Sequence, residues 1–88
     1  MLNVASSNTI LYCAHWDAAV RFYRDLLQLP VTFEKDGWFM ELRVNDQAHI
    51  SLADAARCTV AAGCGAGITL SWCVEELQQL HALLSARQ

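Results

Sequence analysis

The stretch from Ile10 to Val31, ILYCAHWDAAVRFYRDLLQLPV, constrains the fold more than any other part of the chain. Thr9 to Ala14 alternates as a strand does. Asp17 can then accept backbone N–H bonds at a helix start, where its charge meets the positive end of the helix dipole. Val20, Phe22, Tyr23, Leu26 and Leu27 recur at spacings of three and four, so they form one apolar stripe, with Arg21, Arg24, Asp25 and Gln28 mostly elsewhere. Pro30 ends the run, because proline disfavours the helical conformation at Leu29.

The following residues read as a hairpin and a further strand. Val31 to Lys35 suits a strand, Asp36-Gly37 a tight turn and Trp38 to Val44 the return. Asn45-Asp46-Gln47 makes the next turn, and His49 to Ala53 supplies a fourth strand. Residues 54–67, DAARCTVAAGCGAG, have no apolar period and read as a connecting loop with room for a short helical turn. Ile68 to Val74 resumes the strand pattern, and Glu75-Glu76 opens a second helix with Leu77, Leu80, His81 and Leu84 on one face. The expected architecture is one α+β domain over residues 1–88: a βαβββ module at 8–54, a Gly/Ala-rich loop at 55–67 and a partial βα module at 68–87. FYRDLL and LHALLS occupy corresponding places in the two strand-helix pairs, an internal repeat.

Composition bears on partners. A chain of 88 residues removes only about 60 to 65% of its unfolded surface from water. With 55% apolar and 17% charged residues and a mean hydropathy of +0.22, it is expected to bury surface against a second copy. The net charge is −3 and the basic residues Arg21, Arg24, Lys35, Arg43, Arg57 and Arg87 are scattered, which argues against nucleic acid. No signal-peptide pattern and no long apolar run is present, so a cytoplasmic protein is expected, with no membrane partner. Cys13, Cys58, Cys64 and Cys73 match no CxxC spacing and read as buried or loop thiols.

On the FYRDLL helix and the βαβββ order, the chain resembles the vicinal-oxygen-chelate superfamily of glyoxalases, bleomycin-resistance proteins and extradiol dioxygenases. The resemblance implies a sheet curved around a pocket, built from two paired modules. With the second module shortened, a homodimer partner is expected to complete it. Metal-binding members place ligands on the first, fourth, fifth and eighth strands. Aligned on FYRDLL, the first three positions hold Ile10, Ser51 and Thr69, none a good ligand for a divalent transition metal, so neither metal nor other cofactor is expected. Glu41 and His49 on neighbouring strands could still ligate across a dimer.

Alternation sorts the side chains by face. Leu11, Cys13, Met40, Leu42, Val44, Ile50 and Leu52 should back onto the helix. Ile10, Tyr12, Phe39, Glu41, Arg43, His49, Ser51, Thr69 and Ser71 should face the pocket, with Trp38 at its rim. The candidate ligand-binding set is therefore Tyr12, Trp38, Phe39, Glu41, Arg43, His49, Ser51, Thr69 and Ser71. The aromatic members offer stacking area, and Glu41, Arg43 and His49 fix orientation. His15 and His81 read as structural or exposed. Ser51, Thr69 and Ser71 have no His-Asp companions for a hydrolase triad, and Gly63, Gly65 and Gly67 do not form a phosphate cradle.

The expected function is metal-free binding of a small cationic or aromatic molecule, in the manner of drug- or toxin-sequestering proteins. Two alternatives stand beside it. One is a metal-dependent lyase, isomerase or dioxygenase completed across a dimer; the other is a truncated assembly module without a ligand.

Overall fold

A computed structural model of the chain describes residues 2–59 and 70–72. Its elements are β1 (Ser7–Cys13), the helix α1 (Trp16–Val20) continued by a π-helical segment (Arg21–Leu26), β2 (Val31–Lys35), β3 (Phe39–Asn45), β4 (Ala48–Asp54) and a 3-10 turn (Ala55–Arg57). The strands form one mixed sheet in the order β1-β4-β3-β2, with β1 parallel to β4 and the other neighbours antiparallel. Parallel neighbours need a long connection, and α1 with the β2–β3 hairpin supplies it. The fold is α+β.

The core lies between the sheet and α1. Val20 meets Met40, Leu42, Ile50 and Leu52, all nearly or fully buried, with Leu11, Cys13, Trp16, Ala19, Tyr23, Leu29 and Val44 packed around them. This is the set that alternation assigns to the helix side. Burying each of the larger side chains contributes about 2 kcal/mol. The Trp16 indole N–H donates to the Leu52 carbonyl at 2.9 Å, which ties the start of α1 to the central strand.

The helix departs from its expected form in three ways. It begins at Trp16, so Asp17 sits in the first turn rather than capping; the capping position is His15, whose side chain makes no cap bond. The amide of Leu27 bonds the Phe22 carbonyl, five residues back. That widening shifts the phase of the stripe: Tyr23 packs on the core, while Phe22 is 44% exposed and meets Tyr23 edge-on at 5.0 Å. Termination precedes Pro30. Gln28 takes a left-handed conformation with φ of 60°, and the Leu29 amide reaches back to the Tyr23 carbonyl at 3.1 Å.

The Asp36-Gly37 turn forms as expected. Both residues have positive φ, 51° and 70°, and Trp38 N–H closes the turn on the Lys35 carbonyl. The strand expected at residues 68–74 is not seen where it can be checked: Leu70, Ser71 and Trp72 are exposed and carry no strand geometry. Trp72 instead lies 6.4 Å from Tyr23, ring to ring. A ring contact of this kind needs no ladder hydrogen bonds. The rest of that strand, the expected second helix, Cys64, Cys73 and Thr69 lie outside the described residues.

Candidate functional site

Strand register defines the face opposite α1. One row across the sheet runs Ile10, Ser51, Glu41, Phe33; a second runs Tyr12, Ala53, Phe39, Lys35; a third runs Asn8, His49, Arg43. Tyr12, Phe39, Glu41, Arg43, His49 and Ser51 thus share one face. Trp38 does not: it precedes β3 and its carbonyl accepts from Asp54 N–H, so alternation assigns it to the Met40 side, though its ring meets Phe39 at 5.8 Å. Ser71 belongs to the exposed segment beside Trp72 rather than to a strand on this face.

Simple alternation missed two members, Thr32 and Phe33. Val31 pairs with Leu42 and Phe33 with Glu41, so β2 carries one extra residue, Thr32, in a bulge. The bulge moves the strand from one face to the other, leaving Val31 on the α1 side and turning Phe33 onto the Glu41 side. It also brings the Thr32 hydroxyl to Glu41, where it donates to Oε1 at 2.9 Å and lies 3.2 Å from the Glu41 carbonyl oxygen. Phe33, 52% exposed, and Phe39 meet at 6.2 Å in an edge-on contact. The Glu41 carboxylate is therefore held by one oxygen, on the face that carries the Phe33–Phe39 ring pair. Among the described residues no basic side chain pairs with it, the one ion pair being Arg24 with Asp25 on the exposed helix surface.

The centre of this face is sealed. Ser51 and Ala53 are 0% and 1% exposed, and the Ser51 hydroxyl donates to Asn8 Oδ1 at 2.8 Å. β4 thus lays a floor of small residues between larger ones on β1 and β3. Arg43 stands exposed at the third row; its amide donates to the Pro30 carbonyl at 2.9 Å, while its guanidinium makes no hydrogen bond or ion pair among the described residues.

A separate concavity of about 380 Å³ opens where β1 and β4 end, between His15, Asp17, Arg21 and Asp54. The Asp54 carboxylate there accepts from the Ala56 amide at 3.1 Å. Among the described residues no three His, Cys, Asp or Glu side chains converge as a metal site would require. On the α1 side, burial pushes the Cys13 thiol above its ordinary range, as does nearby Asp54, against a backbone hydrogen bond that lowers it. Burial likewise raises the Tyr23 hydroxyl, with Cys13 adding to it. A thiol raised this way is a poor nucleophile.

No protein-family model, curated protein or solved structure matches this chain. Among the described residues, no helix is long and apolar enough to cross a membrane.

Proposed function

We infer that the chain binds a small cationic or aromatic molecule on the sheet face opposite α1, without a metal, in the manner of the bleomycin-resistance branch of the vicinal-oxygen-chelate superfamily. A second copy of the chain completes the groove. The Glu41 carboxylate carries this reading: it is fixed by Thr32, shares its sheet face with the Phe33–Phe39 ring pair, and has no basic partner among the described residues. A carboxylate beside aromatic faces attracts a cation by charge and by the ring quadrupole together. The sheet order, with β1 parallel to β4 and α1 on one face, supports the same module.

Calorimetry or tryptophan quenching against a panel of aromatic and cationic compounds tests the reading. Saturable binding is expected, weakened about tenfold by Phe39→Ala, the loss of one aromatic contact. Absence of saturation across the panel, or an affinity indifferent to Phe39→Ala, refutes it.

One observation favours a second reading, an assembly module without a ligand. Ile10 and Phe33, large apolar side chains on this face, are 40% and 52% exposed, as on a face that docks against protein. Oligomerisation with no ligand response is its signature.

A further inference from the structure

Asn8, His49 and Arg43 lie side by side across β1, β4 and β3, and together they form a row of hydrogen-bond donors. Asn8 Oδ1 accepts from the buried Ser51 hydroxyl at 2.8 Å, so what remains to that side chain is its NH2 group, a donor only. The Arg43 guanidinium is exposed and makes no hydrogen bond or ion pair among the described residues. His49 stands directly opposite it on β4 and carries an N–H in either protonation state. Neighbouring strands are about 4.8 Å apart, which brings the N–H groups of these side chains within reach of one small anion. Such a row lacks only an acceptor.

Two carboxylates lie near Arg43 and neither neutralises it. Glu41 is two residues away on the same face of β3, roughly 7 Å along the strand, and the Thr32 hydroxyl donates to its Oε1. Asp46 is the one other charged residue lining the concavity of about 390 Å³ that Arg43 borders. Among the described residues no ion pair joins Arg43 to either. Along β3 the face therefore reads Phe39, Glu41, Arg43: an aromatic ring that meets Phe33, then a held carboxylate, then an unneutralised guanidinium. That order is the complement of a molecule carrying a ring, then an ammonium, then a carboxylate.

We propose that the ligand of this face is an aromatic amino acid, its ring on the Phe33–Phe39 pair, its ammonium at Glu41 and its carboxylate on Arg43 with His49. The inference deepens the functional reading above and rests on it: Glu41 still takes the cation, and the Arg43 row adds the group that a plain cation lacks. A carboxylate fits this row better than a phosphate does. The planar fork of one guanidinium matches two carboxylate oxygens, whereas a doubly charged phosphate would bring more negative charge beside Glu41 than one arginine offsets. An α-amino acid holds its two charges side by side, so one molecule bridges the roughly 7 Å step between Glu41 and Arg43 with a contact at each end.

Calorimetry on the full chain with three probes tests the assignment. Phenylalanine carries all three groups, phenethylamine lacks only the carboxylate, and 3-phenylpropanoate lacks only the ammonium. The wild type should bind phenylalanine at least about tenfold more tightly than phenethylamine, the effect of one charge-assisted pair of hydrogen bonds. Arg43→Gln should erase that preference by weakening phenylalanine alone, and Glu41→Gln should weaken phenylalanine and phenethylamine while leaving 3-phenylpropanoate unharmed. Circular dichroism checks that each variant is folded. Should Arg43→Gln fail that check, Arg43→Lys, which keeps the charge and loses the fork, reads the same contact as a partial loss of the preference. Phenethylamine bound as tightly as phenylalanine, or a preference that survives Arg43→Gln, overturns the carboxylate site and leaves the cation reading standing. Absence of saturable binding by all three probes overturns both.

Discussion

Truncating Asn8, an exposed residue on an edge strand, should cost more stability than truncating its fully buried partner Ser51. The Ser51 hydroxyl is 0% exposed and donates to Asn8 Oδ1 at 2.8 Å. Asn8→Ala removes the acceptor and leaves that hydroxyl without a partner in a place water does not reach, a loss of about 1–3 kcal/mol. Ser51→Ala removes the buried polar group itself and returns the Asn8 amide to solvent. Its cost is then the net value of one hydrogen bond, about 0.5–1 kcal/mol. The double variant Asn8→Ala/Ser51→Ala should match Ser51→Ala, and so be more stable than Asn8→Ala by about 1 kcal/mol. Urea denaturation at constant slope measures all four corners of the cycle. The reasoning fails if Asn8→Ala is the milder single change, or if removing Ser51 does not rescue it.

Two further outcomes follow from the helix side. Gln28 holds a left-handed conformation that costs an L-residue about 1–2 kcal/mol, partly offset in glycine by its freer unfolded chain, so Gln28→Gly should raise stability by about 0.5–1 kcal/mol, roughly 2–8 °C in Tm; an unchanged or lower Tm argues against a cap there. Cys13 and Tyr23 both have folded-state values raised by burial, so the folded state holds their protons more tightly than the unfolded chain does. Stability from this source is complete below 9.0, the ordinary thiol value, and declines as pH climbs through the raised values, and Cys13→Ala should flatten the first part of that decline. A Tm profile of Cys13→Ala that parallels wild type between pH 8 and 10 would show that the thiol is not the group responsible.

Alternation alone placed most of the core and much of the candidate face. Met40, Leu42, Ile50 and Leu52 fall on one side of the sheet, and Glu41, Arg43, His49 and Ser51 on the other, because a strand turns its side chains with a period of two whatever it pairs with. The Asp36-Gly37 turn was equally legible, since few other dipeptides accept two positive φ values in succession. The exposed segment at Leu70–Trp72 was not: its alternating composition suits a strand, but a strand also needs a neighbour offering hydrogen bonds.

What local sequence carries, then, is periodicity, turn chemistry and the apolar stripe of α1, all properties of a few consecutive residues. Pairing between distant strands decides the rest. The bulge at Thr32 depends on how β2 registers against β3, and it moves Phe33 and the Thr32 hydroxyl onto Glu41, across a separation of nine residues from Thr32. The acceptor for the buried Ser51 hydroxyl is Asn8, forty-three residues earlier, only because β1 lies parallel beside β4. Register is a relation between segments, fixed when one face is buried as a unit, and no single stretch of chain encodes it.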